Sequence, residues 1–349
     1  MGNPINFKPL RSEQTRQLVD VQQVYDALRE ADAALAGQFS GTMRWRTVKG
    51  KAYLYRIRGK VEKSIGPRSP GTEALEQAFQ QGRERALGRQ QSLRERLTEM
   101  APVNIALRLN RVPDLVARII RRLDAVGLLG PRVVVVGANA MFAYEARAGV
   151  HLDSALLATA DVDFALDARR SLVLATNVMP GGLVGLLQQI DPSFAARRAG
   201  DFRAVNDEGF MVDLITSAHR DPLLAGRPKK VSSDGGDMAA AEIGKLQWLI
   251  EAPRFEATTV ANNGLPLRIA VPDPRFFAAH KLWLADREDR DPQKRARDRD
   301  QALAVAAFLA APLSNLKLDD AALSQLPAPL RAGLRAAVSQ APPRPEPIW

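Results

Sequence analysis

The chain has 349 residues, 46% of them hydrophobic and 25% charged, with no cysteine and a formal net charge of +10. This is ordinary globular material, long enough for two or three domains, and the missing cysteine excludes a disulfide framework, thiolate metal sites and a cysteine nucleophile. The excess charge is local: residues 1–130 carry 23 Lys and Arg against 13 Asp and Glu, while the remainder is balanced at 26 against 26, which points to an N-terminal third that meets a polyanion.

In chain order, the opening MGNPINFKPL has no apolar segment, and Asn6 stands where a myristoylation signal needs Ser or Thr, so no targeting signal is read there. Residues 12–37 predict a helix, with Ser12 as cap, Leu18, Val21, Val24, Tyr25 and Leu28 at helical spacing, and Gly37 as its end. A three-stranded meander is expected over about 42–66, broken at Gly50 and Gly59. From Gly71 the pattern is helical to about Leu129, with Pro102 and Pro113 as starts or breaks. Pro131 opens a different texture: a strand at Val133–Val136, a helix from Ala138 to about Ala148, and a strand carrying DVDF.

The run Ser171–Ile190 is uncharged but interrupted by Asn177, Pro180, Gly181 and Gly182, which makes it a poor membrane span. A helix follows from Gly182 to Ile190, then a hairpin turning at Asp207-Glu208-Gly209 between DFRAVND and GFMVDLITS. Beyond residue 240, helices are expected in AAEIGKLQWLIE, PRFFAAHKLWLADRED, PQKRARDRDQALAVAAFLAA and DDAALSQLPAPLRAGLRAAVSQ, with strands at Phe255–Val260 and Leu267–Val271. The tail APPRPEPIW is Pro-rich and expected to be unstructured. These textures divide the chain into a basic N-terminal helical module (1–130), an α/β core (131–239), a mainly helical region (240–340) and the tail (341–349). A soluble, cytoplasmic protein without a membrane partner is expected.

The meander interleaves cations with aromatics: Arg44, Trp45, Arg46, Lys49, Lys51, Tyr53, Tyr55, Arg56, Arg58, Lys60 and Lys63, with Glu62 as its one acid. Cations neutralise phosphates and aromatic faces stack on bases, so these residues are candidate nucleic-acid contacts, RNA or tRNA included. The alternative is a solvated sheet face above a small core. The W-x-R…G-K…Y rhythm also faintly resembles the N-terminal arm domains of phage-type integrases.

Asp161 and Asp163 are i and i+2 on a strand, so both carboxylates leave the same face while Val162 and Phe164 face the core. Two such like charges are best tolerated with a cation between them, and hard divalent ions take carboxylate and phosphate oxygens. Asp213, in FMVDLI, is a third acid on an expected neighbouring strand. Gly137 ends a strand and begins a helix, where free N–H groups favour a phosphate. His151, His219 and His280 have no metal-ligand spacing, and no role follows for them.

The order of strand, glycine turn, helix, Asp-x-Asp strand and later strand Asp resembles the polymerase-beta-type nucleotidyltransferase superfamily. Within it, GANAMFAYEARAGV…ATADVDFALD is most similar to a bacterial group of uncharacterised nucleotidyltransferases. It is more distantly similar to the abortive-infection and toxin–antitoxin members. The resemblance covers about residues 130–300. It implies an α/β (α+β) core with a mixed sheet, flanked by the N-terminal module and the C-terminal helices. It also implies an NTP substrate and Mg²⁺ (or Mn²⁺) held by Asp161, Asp163 and Asp213, with Asp213 positioning or deprotonating an acceptor hydroxyl.

In FFAAHKLWLADREDRDPQKRARDRDQA, similarity to toxin-type members picks out Lys281, Arg287, Arg297-Asp298 and Gln301. Lys281 would contact NTP phosphates, and Asp298 would hold the helix pair together or assist chemistry. The more distant likeness leaves an antitoxin partner as one option. One departure stands out: where many relatives have Gly-Ser, this chain has Gly137-Ala138, leaving backbone amides and Asn139 as donors. Nucleotide transfer to RNA, transfer to a protein or small molecule, and a nucleic-acid-binding regulator on a decayed core all remain open at this point.

Overall fold

A computed structural model describes residues 7–157, 159–169, 181–218, 228–232 and 234–342. Residues 171–180 of the uncharged run and residues 343–349 of the tail lie outside the described residues, as does His219. The elements run β1 (Phe7–Pro9), α1 (Ser12–Ala36), β2 (Thr42–Val48), β3 (Lys51–Arg58), β4 (Val61–Pro67), α2 (Pro70–Ala106), β5 (Asn110–Val112), α3 (Asp114–Ala125), β6 (Val133–Val136), a 3-10 turn (Gly137–Ala140), α4 (Met141–Ala148), β7 (Val150–Leu152), α5 (Ser154–Leu157) and β8 (Asp161–Leu166). They continue with α6 (Gly182–Gln188), β9 (Ala195–Ala196), β10 (Arg203–Val205), β11 (Met211–Ser217), β12 (Ala241–Ile243), α7 (Gln247–Glu251), β13 (Arg254–Ala261), β14 (Pro266–Pro272), α8 (Pro274–Ala285), α9 (Pro292–Ala310) and α10 (Ala328–Ser339). The fold is mixed α/β with flanking helices.

The chain divides into two compact units, Arg16–Arg108 with Gly264–Pro266, and the rest. The division falls at 108/109, and residues 240–340 apart from Gly264–Pro266 belong to the same unit as the α/β core. In the smaller unit the meander forms as its sequence predicts, with β3 central and antiparallel to β2 and β4. Leu54 is fully buried beneath it. Helix α2 starts at a capping box in which Ser69 and Thr72 satisfy each other's backbone N–H groups, with Pro70 in the first turn where its missing donor costs nothing. It continues through Pro102 instead of breaking there.

In the larger unit the principal sheet is ordered β6-β8-β11-β10-β9, with β12 beside the end of β11. β8 and β11 are parallel; β6 is antiparallel to β8, and β10 antiparallel to β11. The four valines of β6 are all buried, as continuous β-branched runs in two-sided sheets are. On β8 and β11, Val162, Phe164, Val212 and Leu214 are fully buried, so one face fills the core and the alternate residues are free to carry polar groups. Glu145 on α4 is buried, clasped by both arms of Arg111 and by the Leu152 amide, which ties α4 to β7.

Three local expectations differ. AAEIGKLQWLIE is strand β12 followed by the single turn α7, because residues 241–243 complete a parallel pairing with 215–217. Residues 110–112 form β5 against β13 where helix is expected between the breaks at Pro102 and Pro113. Of DDAALSQLPAPLRAGLRAAVSQ, only Ala328–Ser339 is helical; Pro327 disfavours helical geometry at the residue before it. Among the described residues no helix is long and apolar enough to cross a membrane.

Candidate active site

Sheet register gathers the acids. Asp163 lies opposite Asp213 on one side and Val136 on the other, and Asp161 opposite Met211. The chain leaves β6 at Gly137 with φ +64°, a left-handed conformation that L side chains rarely adopt. A Cβ there would lie 2.3 Å from Asp163 Oδ2, so any other residue would be strained in the backbone and would push the neighbouring carboxylate aside. Burial, then Asp161 and Asp213, push the Asp163 carboxyl up to about 6, against a smaller opposing pull from Lys281 and Arg203.

A cavity of about 270 Å³ opens over these acids. Gly137, Ala138, Thr159, Asp161, Asp163 and Asp213 line one side, and Arg203, Lys281, Arg290, Lys294, Arg297, Asp298 and Gln301 complete it. An acidic patch in a cationic surround is the charge pattern that suits a metal–phosphate ligand.

Several of these polar groups have partners that the sequence does not announce. Asp213 is buried and held bidentately by Arg203 at 2.6 Å through each guanidinium nitrogen. Asp161 accepts a hydrogen bond from the Thr159 hydroxyl. Among the described residues, therefore, no three His, Cys, Asp or Glu side chains are already arranged for a metal ion. The pair Asp161 and Asp163 fits a hard divalent cation by donor chemistry: oxygen ligands on one strand face, where burial and then the neighbouring Asp161 raise the Asp163 carboxyl. One or two carboxylates with substrate phosphate are a common holder for Mg²⁺.

Lys281 on α8 is buried and donates to Asp298 Oδ1 at 2.6 Å, and Arg290 donates to the other oxygen of Asp298. Burial lowers the Lys281 ammonium below its usual range, while Asp298 opposes that shift. Asp298 thus joins α8 to α9, and Lys281 lines the cavity as one member of an ion-paired trio instead of a lone ammonium. Gln301 donates to the Leu156 carbonyl at 2.8 Å.

Two of the residues that the sequence singles out are not among those lining the cavity. Asn139 is buried and its amide donates to the Asp161 carbonyl at 2.9 Å; it fastens the turn to β8 and does not line the cavity, so it does not replace the hydroxyl absent at Ala138. Arg287 pairs with Asp289 and lies over the Trp283 ring at 4.9 Å, and Arg290, not Arg287, reaches the cavity. Arg203 and Thr159 have no place in the sequence reading. Arg203 was findable: a hairpin turning at 207–209 puts residue 203 across from 213, as the register has it.

The meander residues separate onto two faces. Trp45 donates its indole N–H to Glu76 of α2 at 2.6 Å, and Arg56 lies 4.1 Å over Phe79 while bonding the Gln38 and Ser40 carbonyls. Arg58 donates to the Gly37 carbonyl. These three face α2 and the loop before β2. Alternation and cross-strand register put Arg44, Arg46, Lys51, Tyr53 and Tyr55 on the opposite face. Arg46 is there paired with Glu62. Lys49, Lys60 and Lys63 are exposed at the turns and edge.

A glycine turn, a pair of strand carboxylates and a cation-rich cavity on a mixed sheet define a nucleotide-transferring α/β enzyme. A nucleotidyltransferase family model matches residues 114–327, more than half of the chain, and the protein belongs to this nucleotidyltransferase family. No curated protein and no solved structure matches it.

Proposed function

We propose that this enzyme moves a nucleotide from an NTP to an acceptor hydroxyl, with Mg²⁺ or Mn²⁺ at Asp161 and Asp163, and that RNA is the acceptor. The observation that carries the transfer reading is the adjacent placement of Asp161, Asp163 and Asp213 in a cavity that Arg203, Lys281, Arg290, Lys294 and Arg297 also line. The divalent cation would supply charge neutralisation on the phosphate oxygens. Asp161 and Asp163 would supply oxygen ligands to it, with Thr159 fixing the orientation of Asp161. Arg203, Lys281, Arg290, Lys294 and Arg297 orient the triphosphate and offset its charge. Asp213, steered by Arg203, accepts the proton of the attacking hydroxyl. A new O–P bond forms at the α-phosphorus as the bond to the β-phosphate oxygen breaks, and pyrophosphate leaves.

The RNA reading is supported by the exposed meander face, where Arg44, Arg46 and Lys51 surround Tyr53 and Tyr55 in a pattern suited to phosphate contact and base stacking. Incubation with each α-labelled NTP, Mg²⁺ and either total RNA or total protein tests both parts. Label should enter RNA. Label in protein would replace the acceptor, and no label in either would end the transfer reading.

A further inference from the structure

A second cavity of about 220 Å³ shares a wall with the first: Gly137, Asp163, Lys281 and Arg290 line both. Its own lining is of opposite character. Ile215 and Ile243 come from β11 and the end of β12, Leu246 and Leu249 from the α7 segment, and Phe277 and Leu284 from α8. Apart from the charged residues of the shared wall, His280 is the one polar side chain present. It is buried, and its Nδ1 has no hydrogen-bond partner among the described residues. Helical spacing explains the arrangement: residues 277, 280, 281 and 284 lie on one face of α8, so the same stripe delivers an ammonium to the shared wall and apolar groups to the second cavity.

We infer that this apolar chamber receives the nucleobase of the NTP whose phosphates occupy the charged cavity, and that His280 biases which base is accepted. The inference rests on the nucleotidyl-transfer reading and deepens it. A nucleotide has this same division, an anionic end and a flat, largely apolar ring with hydrogen-bonding edges, joined over a short sugar. The continuous wall at Gly137 and Lys281 lets one ligand occupy both spaces. His280 is the one uncharged polar side chain on this wall, and a neutral imidazole has one donor and one acceptor nitrogen, so a base edge that complements the ring is favoured over one that leaves its polar groups unmet.

Calorimetry with Mg²⁺ and, in turn, tripolyphosphate and each of the ribonucleoside triphosphates tests this on the full chain. Ile243 is 37% exposed, so Ile243→Trp narrows the chamber with little burden on the fold; His280→Phe removes the imidazole at similar volume. The wild type should bind at least one NTP about 10-fold or more tighter than tripolyphosphate. Ile243→Trp should remove that advantage and leave tripolyphosphate affinity unchanged, and His280→Phe should reduce the spread of affinities among the bases. Equal affinity for tripolyphosphate and every NTP, or an NTP advantage that survives Ile243→Trp, overturns the base chamber alone. If Ile243→Trp keeps that advantage but stops transfer, the chamber holds the acceptor and the inference is again overturned. Failure to bind both tripolyphosphate and NTP overturns the transfer reading and the chamber with it.

Discussion

At Gly137 two requirements meet in one residue. Its φ of +64° costs an L side chain about 1–2 kcal/mol, and a Cβ would press on Asp163 Oδ2 at 2.3 Å. Gly137→Ala should therefore lower stability by at least that amount and displace the Asp163 carboxylate, weakening Mg²⁺–NTP affinity measured by calorimetry; unchanged affinity would separate the turn from the site. Asp163 carries a pH signature of its own. Its native carboxyl, at about 6, lies above the ordinary 3.8, so between these values the native state keeps a proton that the unfolded chain releases. The contribution to stability is fully present below about pH 4 and lost as pH rises through 6, on the order of 3 kcal/mol. Without divalent cation, Asp163→Asn should flatten that fall and be more stable than wild type at pH 7. Urea titrations at pH 4 to 8 would show it, and a parallel pH dependence in both proteins would contradict it.

At the scale of elements, Asp298 is the fastening between α8 and α9. Asp298→Ala strands the buried Lys281 ammonium and the Arg290 guanidinium, and loss of one partner from a buried ion pair costs about 3–5 kcal/mol. Chemical denaturation should register a loss of that order; less than about 1 kcal/mol would mean the trio is solvent-screened. The meander yields a sharper contrast. Replacing Arg44, Arg46 and Lys51 with Gln should reduce the slope of log K against log salt for single-stranded RNA by about 2, at about 0.7 per phosphate contact, while Tyr53→Ala with Tyr55→Ala should weaken binding with little change of slope. Trp45→Ala should instead lower stability, since the indole is committed to Glu76. Anisotropy across a salt series separates these, and RNA affinity untouched by both outer-face variants would remove this face as the contact.

The same elements show how far sequence reaches. DVDF, the valine strand and the hairpin around Gly209 were legible because two-residue alternation and turn glycines are local signals, and the register then follows by counting. What was not legible depends on distant partners. Residues 241–243 become strand through pairing with 215–217, against the helical look of AAEIGKLQWLIE. Asn139 has the donor chemistry to meet a phosphate, yet the Asp161 carbonyl claims it. Trp45 and Tyr55 look equivalent in the sequence; only the packing of α2 against one face of the meander tells them apart.

For the whole molecule, charge and chemistry occupy different units. The smaller unit, Arg16–Arg108 with Gly264–Pro266, holds 17 Lys and Arg against 10 Asp and Glu, whereas the acids and cations of the cavity all belong to the larger one. Polyanion binding and nucleotide binding should thus be separable by mutation, with Asp161 and Asp163 variants retaining RNA affinity. The central claim is that these two carboxylates perform the transfer, and its most direct test is label transfer from an α-labelled NTP by wild type and by Asp161→Asn with Asp163→Asn, with folding of both checked by circular dichroism. The account predicts labelled acceptor with the wild type and none with the folded double variant. Transfer at the wild-type rate by the double variant would contradict it.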